Sequence, residues 1–215
     1  EREMIQRVAH NSHILGDVVG VGIEIPSAIS SETFLEERGI KDDYLLYIGR
    51  IDENKGCDKL FRYFLKFKER TNHPIKLVLV GSTKLTIPHH PDIKYLGFVS
   101  EEEKFAALKG TILLVMPSFY ESLSMVTLEA WALEKPVLAN AQCEVLRGQC
   151  QRSQGGLYYE NYEEFEEALS LLLQDEKLRA VLGRNGRQYF LNNYTWEVIE
   201  KKYIKIINQL TEEES

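Results

Sequence analysis

The sequence predicts an α/β fold: a mainly parallel β-sheet with helices on both faces. Three observations predict it. Short β-rich apolar runs alternate with segments of helical spacing, and a strand-helix-strand rhythm means right-handed crossovers between parallel strands. Several of these runs are apolar at successive positions, as strands covered on both faces must be. From Asn161 onward the pattern is helical to the end, which supplies further cover for the sheet.

The elements follow in order. Residues 17–24 (DVVGVGIE), 44–49 (YLLYIG), 76–81 (KLVLVG), 93–97 (IKYLG), 111–117 (TILLVMP) and 135–139 (KPVLA) read as strands. Between them, 57–70 (CDKLFRYFLKFKER) and 100–108 (SEEEKFAAL) have helical spacing, and 125–134 (MVTLEAWALE) is a helix apolar on nearly every side. Ser100 with Glu103 forms a capping box, and Asn161 with Glu164 repeats the device. Residues 162–174, 176–190 and 195–210 complete the helical part. The aromatic residues of FRYFLKF fall at core spacing. The expected organisation is one domain over 17–210, preceded by 1–16 and followed by a short acidic tail, 211–215.

Composition narrows the function. The 215 residues are 44% hydrophobic and 27% charged, ordinary for a globular domain. A net charge of -7 argues against a general nucleic-acid binder, whose affinity rests on cationic surface. It leaves room for a local cationic pocket that takes a small anion. No apolar run reaches a membrane-spanning length, and no signal peptide opens the chain. The first residue is not Met, so the chain reads as a piece of something longer. Cys57, Cys143 and Cys150 form neither a disulfide framework nor a metal pattern, and read as reduced thiols of a cytoplasmic protein. The glycosylation triplet at Asn193 carries no weight without evidence of secretion.

In an open parallel sheet, ligands sit beyond the carboxyl ends of the strands, so the strand exits hold the candidate chemistry. The first exit, GRIDENKG, carries Arg50 and Lys55. A guanidinium fork and a compact ammonium both suit phosphate oxygens, although Asp52 and Glu53 between them also suit a solvated charged loop. The second exit, FYESLSMVTLE, places Glu121 in a loop, Ser122 and Ser124 at the helix start, and Glu129 more than a turn inside the helix. Backbone N–H groups of that first turn favour an anion. A buried, ionised Glu129 needs partners, and a ribose diol would supply two hydroxyl donors; a neighbouring lysine would also serve. The third exit, LGFVS, presents backbone groups near Phe98 and Val99 to which a nucleobase edge could bond. His89 and His90 lack a third ligand for a metal. His10 and His13 read as surface residues.

In this order, GR…KG, LVLVG, LGFVS and MPSFYESLSMVTLEAWALEKPVLA resemble the carboxy-terminal, nucleotide-sugar-binding half of the retaining glycosyltransferases of family 4, which have the two-domain GT-B fold. The likeness runs from about Val18 to the last helix. Its most specific part is the pair of glutamates, Glu121 and Glu129, separated by seven residues. The resemblance implies a Rossmann-like domain and roles for matching positions. Arg50 and Lys55 hold the donor's diphosphate and stabilise it as leaving group. Glu121 stands near the transferred sugar, Glu129 binds the ribose hydroxyls, and N–H groups around Leu123, Ser124 and Met125 complete the diphosphate cradle. It implies no metal and no other cofactor.

The chain departs from the family at two points. It has ESLS where many relatives have Glu-Gly-Phe-Gly, and it lacks the glycine pair after PVLA. The resemblance further implies an amino-terminal acceptor domain outside this chain, with residues 1–16 as the end of its last helix and a linker. The last helix would cross back to that domain, leaving Trp196, Ile199, Tyr203 and Ile206 short of cover. The full-length protein is then open to peripheral membrane association in polysaccharide or glycolipid biosynthesis. Two other readings stay open: a non-catalytic nucleotide-sugar-binding module, and another GT-B enzyme such as a sugar-nucleotide epimerase. Intact Arg50, Lys55, Glu121 and Glu129 favour the transferase.

Overall fold

Five consecutive residues, Tyr44–Ile48, form β1, and all five are buried. A strand with no exposed face must be covered on both sides. A computed structural model describes residues 2–10 and 18–213. In it β2 (Lys76–Val80), β3 (Ile93–Gly97), β4 (Leu113–Met116), β5 (Val137–Asn140) and β6 (Gly156–Tyr159) join β1 in one sheet, ordered β3-β2-β1-β4-β5-β6. Every pairing is parallel, with Leu45 beside Leu77 on one side and beside Leu113 on the other. The fold is a Rossmann-like α/β fold, as the sequence predicts.

The chain builds outward from β1 to β3, returns to lay β4 beside β1, and then builds outward again to β6. The exits of β1 and β4 therefore stand side by side, and the crevice at such a reversal is where open sheets bind ligands. The helices, in chain order, are α1 (Arg2–Val8), α2 (Ser31–Glu37), α3 (Cys57–Thr71), α4 (Glu101–Gly110), α5 (Met125–Ala132), α6 (Glu144–Ser153), α7 (Tyr162–Gln174), α8 (Glu176–Asn193) and α9 (Trp196–Glu213).

Helices α3 and α5 bury the apolar residues their sequences mark. On α3, Cys57, Leu60, Phe61, Phe64 and Phe67 recur at three- and four-residue steps and pack on Leu45, Leu77, Leu79 and Val115. Burying each such large side chain contributes about 1.5–3 kcal/mol. Helix α5 is covered nearly all round: Leu128, Ala130 and Trp131 are fully buried, and the Trp131 indole donates to the Gly155 carbonyl at 2.8 Å. The capping box at Ser100 forms, with the Glu103 N–H donating to Ser100 Oγ at 3.2 Å and the Ser100 N–H to Glu103 Oε2 at 3.0 Å. At α7 the Glu164 N–H donates to Asn161 Oδ1 at 3.0 Å. The return bond to Glu164 comes from the Glu160 N–H, one residue before the cap.

Three elements escape the sequence reading: α2, α6 and β6. Helix α6 holds Gly148 in its middle, and β6 is four residues long, with its ends buried and its middle partly open. The strand expected at 17–24 is not formed. Asp17 lies outside the described residues, and 18–24 run as coil, because Gly20 sits at φ +85, outside any strand conformation. This segment bonds near the end of the chain instead: the Ile23 N–H donates to the Tyr194 carbonyl at 3.0 Å, and Lys202 Nζ to the Val19 carbonyl at 3.3 Å.

The chain divides into two compact units, one of residues 25–190 and the other of 1–24 with 191–215. The sheet lies wholly in the first. In the second, Gly22 meets the Trp196 ring so closely that a Cβ there would lie 2.5 Å from it, and Ile199 is buried. Trp196 and Tyr203 remain about half exposed, while Ile206 is partly buried. Residues 211–213, read as a tail, belong to α9.

Candidate active site

The loop after β1 is set by Asp52. This side chain is 7% exposed, accepts from the Lys55 backbone N–H at 2.9 Å through Oδ1, and pairs with Arg50 Nε through Oδ2. Burial pushes its carboxyl upward, but the hydrogen bonds from Arg50 and from the Lys55 N–H outweigh that and hold it below the usual range. The Tyr47 hydroxyl donates to the Arg50 carbonyl at 2.7 Å and closes the loop from below. Arg50 itself is half exposed.

This loop is bound to the loop after β4. The Phe119 N–H donates to the Asn54 carbonyl at 3.4 Å, and Lys55 Nζ pairs with Glu121 Oε1 at 2.7 Å. Gly56, at φ +68, sits where a Cβ would lie 2.2 Å from the Pro117 carbonyl oxygen, so no other residue lets the two loops approach this closely. From the far side, Asn140 at the end of β5 donates to the Pro117 carbonyl at 3.1 Å. The cation and the acid picked out at separate exits are thus in direct contact.

Ser124 is the N-cap of α5 and is buried, but its hydroxyl is engaged by Thr127 Oγ1 at 2.9 Å and makes no backbone cap bond. The first N–H to bond back into the helix is that of Leu128, to the Ser124 carbonyl. The N–H groups before it have no acceptor within the helix, and the helix dipole there favours an anion. Ser122 and Met125 are exposed beside this start, and Leu123 is partly buried.

Glu129, one turn further, is 5% exposed. Its Oε1 accepts from Lys104 Nζ at 2.9 Å, while its Oε2 is buried with no hydrogen-bond partner among the described residues. Burial raises its pKa, and Lys104 only partly offsets this. Burial also acts against the charge on Lys104, but bonds to Glu101 at 2.6 Å and to Glu129 prevail and leave its pKa above the ordinary value. The asymmetry is one of partners: the lysine has two acids, the acid one lysine.

Lys104 and Glu101 line a cavity of about 210 Å³ at the carboxyl edge, together with Gly49, Arg50, Phe98 and Val99. Phe98 is 90% exposed and Val99 buried, and both belong to this wall. A Cβ on Gly81 would meet the Gly49 carbonyl oxygen at 2.0 Å, which keeps the floor between β1 and β2 free of side chains.

The remaining candidates lie elsewhere. His90 Nδ1 accepts from the Asp92 N–H at 3.1 Å, within its own loop. His10 is exposed, and His13 lies outside the described residues. Among the described residues no three His, Cys, Asp or Glu side chains cluster as metal ligands. The three cysteines are free and buried. No helix among the described residues is long and apolar enough to cross a membrane. Asp52 and Lys104 are the site residues the sequence reading missed. Asp52, three residues before Lys55, carries the spacing of a side-chain-capped turn and was open to detection; Lys104 gave no local signal.

The profile of the family described as glycosyl transferases group 1 matches residues 30–189. The chain belongs to that family. The capsular polysaccharide biosynthesis glycosyltransferase CapM of Staphylococcus aureus is 26% identical over 209 residues, covering 88% of this chain and 54% of that protein. The group 1 chain spans about half the length of the curated relatives it matches. Among solved structures, HepE of Anabaena in complex with UDP superposes with a TM-score of 0.77 at 15% identity, over 96% of this chain and 61% of that one. The C-terminal domain of a group 1 family protein, LpcC of Francisella tularensis, superposes with a TM-score of 0.63 at 17% identity, over 83% of this chain and 97% of that one. These likenesses establish a Rossmann-like α/β fold shared with one part of the GT-B glycosyltransferases.

Proposed function

We propose that this chain is the carboxy-terminal, donor-binding half of a retaining family 4 glycosyltransferase that uses a nucleoside-diphosphate sugar. The observation that carries the reading is the junction of the β1 and β4 exits, where Lys55 meets Glu121 at 2.7 Å beside the uncapped start of α5. Lys55 and a helix start stand there beside an acid, with Arg50 in the same loop after β1, a charge pattern that suits a diphosphate joined to a neutral sugar. Arg50, Lys55 and the N–H groups around Leu123, Ser124 and Met125 hold the diphosphate. Glu121 faces the sugar, Glu129 the ribose, and the cavity walled by Phe98 and Val99 takes the base. The half-length match and the likeness to an isolated C-terminal domain support the placement in the chain.

Transfer breaks the bond from the anomeric carbon to the diphosphate oxygen and forms one to an acceptor hydroxyl on the same face. The acceptor's proton passes to the departing phosphate. Arg50 and Lys55 stabilise the charge that grows on the leaving group, and no metal is required. The acceptor belongs to an amino-terminal domain of the same protein, and the enzyme works on the cytoplasmic side in polysaccharide or glycolipid biosynthesis. The CapM relationship is in keeping with that setting.

The test is a calorimetric and thermal-shift panel of UDP, GDP and ADP, with and without EDTA. A ligand at a hundred times its Kd adds about 2.7 kcal/mol, a rise of roughly 5–10 °C in Tm. No rise with any nucleoside diphosphate at millimolar concentration overturns the reading. A tenfold loss of affinity on adding EDTA overturns metal independence.

A further inference from the structure

Lys104 carries no role in the sequence reading, yet it is the only residue seen to bond the Glu129 side chain among those described. It starts on α4, lines the 210 Å³ cavity, and sends its ammonium back from the cavity wall to Glu129 Oε1. Its side chain is 13% exposed and that of Glu129 is 7% exposed, so the pair is shielded from water. At the outer end Glu101, 77% exposed, holds the same ammonium and fixes its position at the rim. Phe105 gives the ammonium an aromatic neighbour, its ring centroid 4.7 Å away. What remains is one buried oxygen, Glu129 Oε2, with no hydrogen-bond partner among the described residues.

A buried carboxylate with one satisfied oxygen and one bare oxygen is an incomplete interaction, and leaving it so costs free energy. The lysine makes that arrangement tolerable. Without a cation, a carboxyl this buried would take up a proton, and a charge-assisted hydrogen bond to a ligand would be lost with the charge. The cation on Oε1 favours the ionised form against burial and holds the carboxylate against turning, so Oε2 is left as the acceptor for a hydroxyl.

We propose that Lys104 is a positioning residue for donor recognition: by clamping Oε1 of Glu129 it reserves Oε2 for a ribose hydroxyl, and so sets the preference for ribonucleotides over deoxyribonucleotides. The inference rests on the reading that Glu129 meets the ribose. It adds a residue from another helix to that contact and a specificity that follows from it.

The experiment measures the Kd of UDP, 2′-deoxy-UDP and 3′-deoxy-UDP (or of the base that the panel above selects) by calorimetry on the 215-residue chain. The unaltered chain should prefer the ribonucleotide over at least one deoxy analogue by about tenfold or more. Lys104→Met and Lys104→Gln should lower that ratio to below about threefold, while Lys104→Arg, which keeps the charge, should retain most of it. A purely structural effect weakens all three ligands alike and leaves the ratio unmoved. Should Lys104→Met fail to fold, the Gln and Arg variants carry the comparison. A neutral variant that keeps the full preference overturns the role of Lys104 while Glu129→Gln still loses it. If Glu129→Gln keeps the preference as well, the ribose contact itself is wrong. If no nucleoside diphosphate binds the unaltered chain, both readings fall.

Discussion

Two shielded carboxylates at opposite edges of the sheet are treated in opposite ways. Asp92 stands just before β3, at the amino edge, and both of its oxygens are taken: Oδ1 by Lys76, and Oδ2 by Lys68 at 2.8 Å. Lys68 is satisfied in turn by the carbonyls of His73 and Ile75. Burial pushes Asp92 upward, but the two lysines outweigh it and hold its carboxyl below the usual range. Glu129, at the carboxyl edge, has one lysine and one bare oxygen, and burial prevails. The Asp92 cluster closes on itself, while the Glu129 pair leaves one buried oxygen without a partner among the described residues, an arrangement that calls for an explanation.

Removing the closed cluster should give the largest effect. Asp92→Ala leaves Lys68, whose side chain is only 9% exposed, without its acid, and leaves Lys76 with Asp42 alone at 3.7 Å. Allowing for the partial exposure of the others, the loss is about 2–3 kcal/mol, or roughly 5–10 °C in Tm. Nucleotide affinity should stay within about twofold, since the amino edge lies away from the site. A tenfold drop in affinity in this variant would break the contrast between the two edges.

Glu129→Gln should act in the reverse sense. Affinity for a nucleoside diphosphate falls by roughly 1–3 kcal/mol as charged hydrogen bonds are lost. The unliganded fold, however, gains slightly. A carboxyl whose folded-state pKa is raised binds its proton more readily when folded, so its ionised form opposes folding above the ordinary glutamate pKa. The neutral isostere removes that cost, and Tm near pH 7 should rise by about 1–3 °C. Lys104 and Glu101 are the charged groups acting on Glu129, and Glu101 still holds the lysine in the variant. The gain should fade as pH falls through the raised pKa, where the native Glu129 is itself neutral. Melting curves from pH 4 to 8 read this directly, and a Tm lowered at every pH would contradict the sign.

Glu121→Gln should give the smallest change. Glu121 pairs with Lys55 in the unliganded protein, so a diphosphate must draw the lysine away from it. Removing the acid's charge frees Lys55, and UDP affinity should rise by up to about threefold, the scale of a partly exposed ion pair. A fall of tenfold in calorimetry would mean that Glu121 contacts the nucleotide itself.

The legibility of the molecule follows the same division. The strands at 44–48, 76–80 and 113–116 were readable because each is an unbroken apolar run, and burial on both faces requires nothing more specific. The caps of α4 and α7 were readable because donor and acceptor lie within three residues. The false strand at 18–24 had the apolar content of a strand, but Gly20 adopts a left-handed conformation and the segment's partners, Tyr194 and Lys202, lie at the other end of the chain.

Within the site, residue types at the strand exits were decided by the sequence alone: arginine and lysine after β1, glutamates flanking the start of α5, a glycine where the loops cross. Which of them meet was decided by the tertiary structure. Lys55 and Glu121 lie 66 residues apart, and Lys104 and Glu129 lie 25 apart on different helices. Helix and strand patterns are written by interactions between near neighbours in the chain. An ion pair across two crossovers depends instead on strand order and loop approach, and only the assembled sheet fixes those.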